Sequence, residues 1–484
     1  MAQAILPYSL ASNRSTPSTD DSQDNPNPAI LHHLLPQPSL FHPSYDIVRT
    51  DGSYITLRNS QNILDACSAE AIIGWGNVEV IKAMVEQYAQ SLSYTTGLAE
   101  ELAECILATR ASGFAHGLVK AWFCCNGSEA NDAALKLCRQ YFFERGEHER
   151  KFFVSSKHPS LGNSMGSIRI STKQFRNIQN EPVIISNPAF VSPAYAYRKQ
   201  RSEEPEEDYV KRLIAKLRKE FRRIGPEKVI SFTAEPMVGA TSGCVAAPEG
   251  YFPAVRELCD EYGILLHLDE TMCGMGRTGT YFAFERENIV PDVVTIGKSL
   301  SGGYAPIAGI LISQKCIGRL RRGSSSFNYD NIYQAPPFSC AAALAVQRIL
   351  RRRALVERCA AIGEYLRSCL EKTFGDCKYV GNIRGKGLFW ALEFVKDKTA
   401  KEPLSPEFNF GYRVQRKAFK AGLAVYMGAG TIDGKRGDHI ILAPPFTISH
   451  QEVENMVNIL KYAYNVEEQT VVDTYRRGLF CYEL

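Results

Sequence analysis

At 484 residues the chain is too long for one ordinary core, so two or more packed domains are expected. Apolar residues at 45% and charged residues at 22% give the balance of a soluble globular enzyme. The net charge is only +4, from 56 basic and 52 acidic residues without a long basic run, which argues against nucleic acid or an anionic membrane as partner.

Residues 1–30, rich in Ser, Pro, Asn, Asp and Thr, read as a disordered leader, and their one Arg and three Asp do not suit a transit peptide. Tyr45 to Leu57 reads as two short strands turned at Asp51-Gly52. Apolar residues at helical spacing predict a helix from Val78 to Leu92. The middle of the chain then alternates: strand Val119 to Cys125, helix Glu129 to Phe142, strand Val229 to Ala234, helix Phe252 to Tyr262, and strands Ile264 to Asp269 and Val293 to Gly297. Such alternation predicts an α/β architecture, a mostly parallel sheet covered on both faces, with functional groups beyond the C-terminal strand ends. The charged segment Arg201 to Arg223 reads as a surface helix. Beyond Cys340 a long helical stretch carries the run Arg351-Arg352-Arg353, taken as a solvated face. Strands near Leu388 to Phe394 and Ile440 to Ala443 and a last helix from Ser449 make a smaller α+β domain. The expected division is a large domain over 96–340 and a small one over 341–484, with 31–95 contributing to the small one.

Fourteen scattered cysteines without a C-x-x-C pair, and no signal peptide, read as reduced thiols in a cytoplasmic protein. Nine histidines without metal spacing give no expectation of a metal. No run of about 18 apolar residues is long enough to span a bilayer.

Four segments that follow strands carry the chemistry. Cys125-Asn126-Gly127-Ser128-Glu129 leads from a strand into a helix, whose free N–H groups and Ser128 hydroxyl suit a phosphate that Gly127 lets approach; the same residues also suit a plain N-cap at Ser128. Asp269 closes an apolar strand, where a carboxylate needs a cationic partner such as a pyridinium nitrogen, or serves as a turn cap. Lys298 follows another apolar strand in Gly297-Lys-Ser, placed as an amine nucleophile toward an aldehyde or, on the plain reading, as a surface charge. Glu235-Pro-Met-Val-Gly239 suits a structural turn. Gly274-Met-Gly-Arg-Thr-Gly279 satisfies the dinucleotide fingerprint, but it lies away from its strand and opens no helix, so the match is weak.

Together Ala234-Glu-Pro-Met-Val-Gly, Leu268-Asp-Glu-Thr-Met-Cys-Gly-Met-Gly-Arg-Thr-Gly and Pro291-Asp-Val-Val-Thr-Ile-Gly-Lys-Ser-Leu-Ser-Gly-Gly resemble the class III (ω-amino acid type) aminotransferases of pyridoxal-phosphate (PLP) fold type I. The resemblance runs from about His42 to about Asn465. It implies a large domain on a mostly parallel, seven-stranded type of sheet with a smaller α+β domain, and a homodimer with shared active sites. It implies PLP held as a Schiff base (aldimine) on Lys298, paired at its ring nitrogen with Asp269 and at its phosphate with Gly127 and Ser128. Thr271 is implied to pack on the ring and Met272 to lie by its phenolic oxygen, with Glu235 at the substrate. The implied reaction moves an amino group from a primary amine or ω-amino acid to pyruvate or 2-oxoglutarate. Another PLP reaction, such as decarboxylation or racemisation, and a non-catalytic dimer stand as alternatives.

The chain departs from the family at three places. Leu161 stands in Ser160-Leu-Gly-Asn-Ser164 where the family carries an aromatic ring. Ile332 stands where a Thr reaches the partner's phosphate. Gly74-Trp75-Gly76 replaces a Gly-His and suggests an indole at the substrate entrance. Ala443, before Pro444-Pro445, stands where an Arg often binds an α-carboxylate, which favours an apolar donor.

Overall fold

The computed structural model describes residues 47–90, 96–108, 117–157, 161–171 and 189–476, so the leader expected at 1–30 lies outside it. The strands Val229–Ala234, Leu265–Asp269, Val293–Ile296 and Ala308–Ser313 are buried at every position, as their near-continuous apolar sequences require of strands covered on both faces. They form the centre of a seven-stranded sheet, in the order Leu118–Cys124, Ala308–Ser313, Val293–Ile296, Leu265–Asp269, Val229–Ala234, Phe152–Ser156, Ala189–Val191. Ala308–Ser313 runs against its two neighbours, and the remaining pairs are parallel.

Successive strand residues serve opposite faces. Leu265 and Val293 pack in one core cluster with the helix Gly127–Phe143, whereas Leu266 and Val294 pack in another with Phe221 and Val255 of the helices Glu206–Ile224 and Tyr251–Glu261. The helix expected on the surface at 201–223 therefore has a solvated side and a buried one, through Tyr209, Leu213, Leu217 and Phe221.

A second seven-stranded sheet joins the two ends of the described chain, in the order Ile47–Asp51, Tyr54–Leu57, Asn62–Ala66, Leu423–Ala429, Asp438–Leu442, Phe389–Phe394, Val380–Lys386. Asn62–Ala66 pairs in parallel with Leu423–Ala429. The long helical stretch expected beyond Cys340 is two helices, Pro337–Arg352 and Leu355–Phe374, broken at Ala354, which adopts a left-handed φ of 46°. In the basic run, Arg352 pairs with Glu79 and Arg351 donates to the Cys105 carbonyl.

The dinucleotide-like glycine segment opens no helix. Its Arg277 is fully buried and donates to the carbonyls of Leu388, Pro444 and Ala69, tying three distant segments together.

Candidate active site

The strand Leu118–Cys124 ends at a turn that starts the helix Gly127–Phe143. The cap of that helix is Asn126, whose side chain accepts from Glu129 N at 3.1 Å, so the N-cap reading of Ser128 is corrected. Ser128 sits instead in the first turn, where backbone N–H groups have no intrahelical partner, and its Oγ accepts from Asn163 N at 3.0 Å. A Cβ on Gly127 would come within 3.0 Å of Thr271 Cγ2, and one on Gly162 within 2.9 Å of the Ser128 Cα. Both glycines are therefore packed tightly beside the helix N-terminus, against Thr271, Ser128 and Ser167.

Asp269, 4% exposed, ends its strand beside that helix N-terminus. Its Oδ1 accepts from Thr271 N at 2.8 Å and from the Thr271 hydroxyl, and its Oδ2 accepts from Asn131 Nδ2 at 2.8 Å. Burial raises its pKa, and these three donors and the Lys298 charge oppose that rise. A carboxylate offers about four lone-pair directions, so these donors leave about one acceptor position.

Lys298 opens a short turn after Val293–Ile296 with a left-handed φ of 43°, a conformation costly for a lysine and common at functional sites. It has no hydrogen-bond or ion-pair partner among the described residues. Lys298, Asp269, Gly127, Ser128, Thr271, Met272 and Glu235 all line one cleft of about 480 Å³. Glu235 also accepts from Gly239 N at 3.1 Å, so it shapes the turn expected there as well as the cleft wall.

Three sequence candidates lie elsewhere. Trp75 donates to Asp65 Oδ2 at 2.9 Å and lines a neighbouring apolar cleft that shares Gly303 with the first. Ile332 is 91% exposed and does not line the cleft. Leu161 is buried in the core beside the helix Gly127–Phe143, leaving Gly162 and Asn163 as the residues of that segment at the cleft. Asn131 was not singled out from the sequence; only the packing of the helix Gly127–Phe143 over the sheet shows it bonding Asp269.

The family model for aminotransferase class-III matches residues 37–464. The chain belongs to the class III aminotransferases. It is similar to an uncharacterised aminotransferase of Schizosaccharomyces pombe, 39% identical over 92% of this chain and 97% of that one. It is also 30% identical to gamma aminobutyrate transaminase 2 of Solanum lycopersicum, over 88% of this chain and 92% of that one. Its fold matches that of an amine transaminase from an uncultivated Pseudomonas species, solved in its PLP-bound form, at a TM-score of 0.81 with 27% identity, covering 92% and 99% of the two chains.

This aminotransferase is a PLP-dependent enzyme of fold type I. The residues at the cleft fit that cofactor. Gly127, Gly162 and the Ser128 hydroxyl bring a helix N-terminus to the cleft without a bulky side chain, as an anionic phosphate requires. Asp269 keeps one acceptor position, and the Lys298 amine shares the cleft with it. No helix among the described residues is long and apolar enough to cross a membrane.

Proposed function

We propose that Lys298 and Asp269 are the catalytic residues of this aminotransferase, with Gly127 and Ser128 holding the cofactor phosphate. The observation that carries this reading is the convergence of three unrelated segments, each at or just past the C-terminal end of a strand of the large sheet, on one cleft. Bound there, PLP supplies the electron sink that allows an amino group to leave one substrate and pass to another. Lys298 Nζ would hold the cofactor through its aldehyde carbon, and the same amine is placed to move a proton at the substrate carbon. The Asp269 carboxylate keeps the ring nitrogen protonated, and the helix N–H groups with Ser128 Oγ orient the phosphate. The Thr271 hydroxyl holds Asp269, and Thr271 would pack against the cofactor ring, with Met272 and Glu235 as further walls of the same cleft.

The donor is a primary amine or ω-amino acid and the acceptor pyruvate or 2-oxoglutarate. The donor end is supported by a wall of Ala69, Phe389, Tyr426, Ile441 and Ala443, without an arginine among the described residues of the cleft. The working unit is a homodimer that brings Ile332 of each protomer to the other's phosphate. The exposure of the apolar Ile332, Tyr333, Val78, Val85 and Tyr88 supports such an interface. The two sheets support the division of the chain at 96 and 340, with 31–95 and 341–484 in the smaller part. The absence of a spanning helix among the described residues is compatible with the cytoplasmic location proposed from the cysteine usage.

Substrates are tested by incubating the holoenzyme with panels of amines and ω-amino acids against pyruvate or 2-oxoglutarate. Formation of alanine or glutamate supports the reading. Carbon dioxide release or racemisation without amino transfer would overturn it.

A further inference from the structure

A chain of buried polar side chains runs from the middle of the large sheet to Asp269. Three parallel strands lie side by side, with His267 opposite Thr233 and Asp269 opposite Thr295. His267 and Asp269 are two residues apart and so share a sheet face, the one covered by the helix that carries Asn131. Thr233 Oγ1 lies 3.3 Å from His267 Nδ1, and His267 Nε2 lies 2.7 Å from Thr295 Oγ1. Thr295 Oγ1 lies 3.3 Å from Asn131 Oδ1, and Asn131 Nδ2 lies 2.8 Å from Asp269 Oδ2. Thr233, His267 and Thr295 are fully buried.

The direction of each bond follows from counting protons. Asn131 Nδ2 also donates to the Gly127 carbonyl at 3.1 Å, which fixes the amide and leaves Oδ1 as acceptor. Thr295 has one proton and gives it to Asn131, so it must accept from His267 Nε2–H. His267 Nδ1 then accepts from the Thr233 hydroxyl. Burial pushes the His267 pKa down to about 3, so the ring is neutral and this tautomer can be kept. Every link therefore donates toward Asp269, and such chains reinforce one another in a low-dielectric interior. The titratable groups acting at Asp269 are Lys298, across the cleft floor, and Glu270 and Cys273, next along the chain.

We propose that His267 is a positioning residue for the transamination: through Thr295 and Asn131 it fixes the donor that keeps Asp269 ionised and aimed at the cofactor ring nitrogen. His267 does not itself line the cleft. The proposal rests on the reading of Asp269 given above.

The test compares full-length His267→Phe, His267→Gln and Thr295→Val with the wild type. The readouts are the PLP dissociation constant from titration of the apoenzyme, the pH midpoint of the bound cofactor's visible absorbance, and thermal stability. His267→Phe and Thr295→Val are each expected to weaken PLP binding about tenfold and to move the midpoint in the same direction. The double variant is expected to be no worse than either single one, because both cut the same relay. His267→Gln, whose amide can donate to Thr295, is expected to restore most of both. Unchanged affinity and midpoint in folded variants, additive losses, or a Gln variant as impaired as the Phe variant would overturn the proposal. If His267→Phe does not fold, the nearly isosteric Thr295→Val carries the same test. Asp269→Asn separates the two levels: if it too leaves affinity and midpoint unchanged, the reading of Asp269 falls, and otherwise only the relay does.

Discussion

Replacing Asp269 by asparagine exchanges one carboxylate oxygen for an NH2 group in a pocket whose donors are already fixed. Oδ1 of the new amide can still accept from Thr271 N and the Thr271 hydroxyl, but its Nδ2 then faces Asn131 Nδ2 across 2.8 Å, donor against donor. Asn131 cannot turn its amide to relieve this, because its other contacts are the Gly127 carbonyl and the Thr295 hydroxyl. Turning the new amide the other way puts its NH2 against both Thr271 donors. One unmet buried donor costs about 1–3 kcal/mol, so a modest loss of thermal stability is expected. The larger effect falls on the cofactor. An ionised partner for the ring nitrogen is worth about 1.5–3 kcal/mol, so the PLP dissociation constant is expected to rise by one to two powers of ten, at about 1.4 kcal/mol per decade. Turnover is expected to fall by orders of magnitude even at saturating PLP, since a neutral amide cannot hold the ring nitrogen protonated. The assay is apoenzyme titration followed by single-turnover transfer from an amine at saturating cofactor. A folded variant with near-wild-type affinity and turnover would refute the assignment of Asp269.

Gly127→Ala places a methyl group 3.0 Å from Thr271 Cγ2 at a helical position. PLP binding is expected to weaken about tenfold, roughly 1.4 kcal/mol of local overpacking, while the melting temperature stays within a few degrees. Unaltered affinity in apoenzyme titration would remove Gly127 from the phosphate cup. Glu393 is buried, which tends to raise its carboxyl, but Arg384 and Arg198 hold it below its ordinary value of 4.5. Its stabilisation is therefore complete above about pH 4.5 and lost as pH falls through the lower folded value. Glu393→Gln is expected to cost about 3–5 kcal/mol near neutrality by denaturant melts, with the gap to wild type narrowing in acid; a gap independent of pH would contradict this. Ile332→Thr is expected to tighten PLP by about one power of ten if its hydroxyl reaches the phosphate of the other protomer. Equal or weaker binding in the titration would remove Ile332 from that phosphate.

The central strands Val229–Ala234, Leu265–Asp269 and Val293–Ile296 were legible because strands covered on both faces must be apolar throughout, so Asp269 and Lys298 stood out as polar residues at their ends; Ala308–Ser313, equally buried, was not identified. The helix after Cys125 begins two residues earlier than its apolar spacing suggested, because the Asn126 side chain caps it. The strands Phe152–Ser156, Ala189–Val191 and Leu423–Ala429 escaped notice; Ala189–Val191 has only three residues, and Leu423–Ala429 mixes buried and half-buried positions. Nothing in the sequence singled out His267, since its partners Thr233 and Thr295 come from other strands and depend on register, which a single sequence does not display. Trp75 was placed at the substrate entrance from the Gly-His that Gly74-Trp75-Gly76 replaces; its indole donates to Asp65 and lines the adjoining cleft.

The most direct test of the site is to reduce the holoenzyme with borohydride, digest it and map the lysine that carries the pyridoxyl group. A single adduct on Lys298, absent from a folded Lys298→Ala variant that has also lost transamination, is the expected result. An adduct on a different lysine, or full activity in Lys298→Ala, would contradict it.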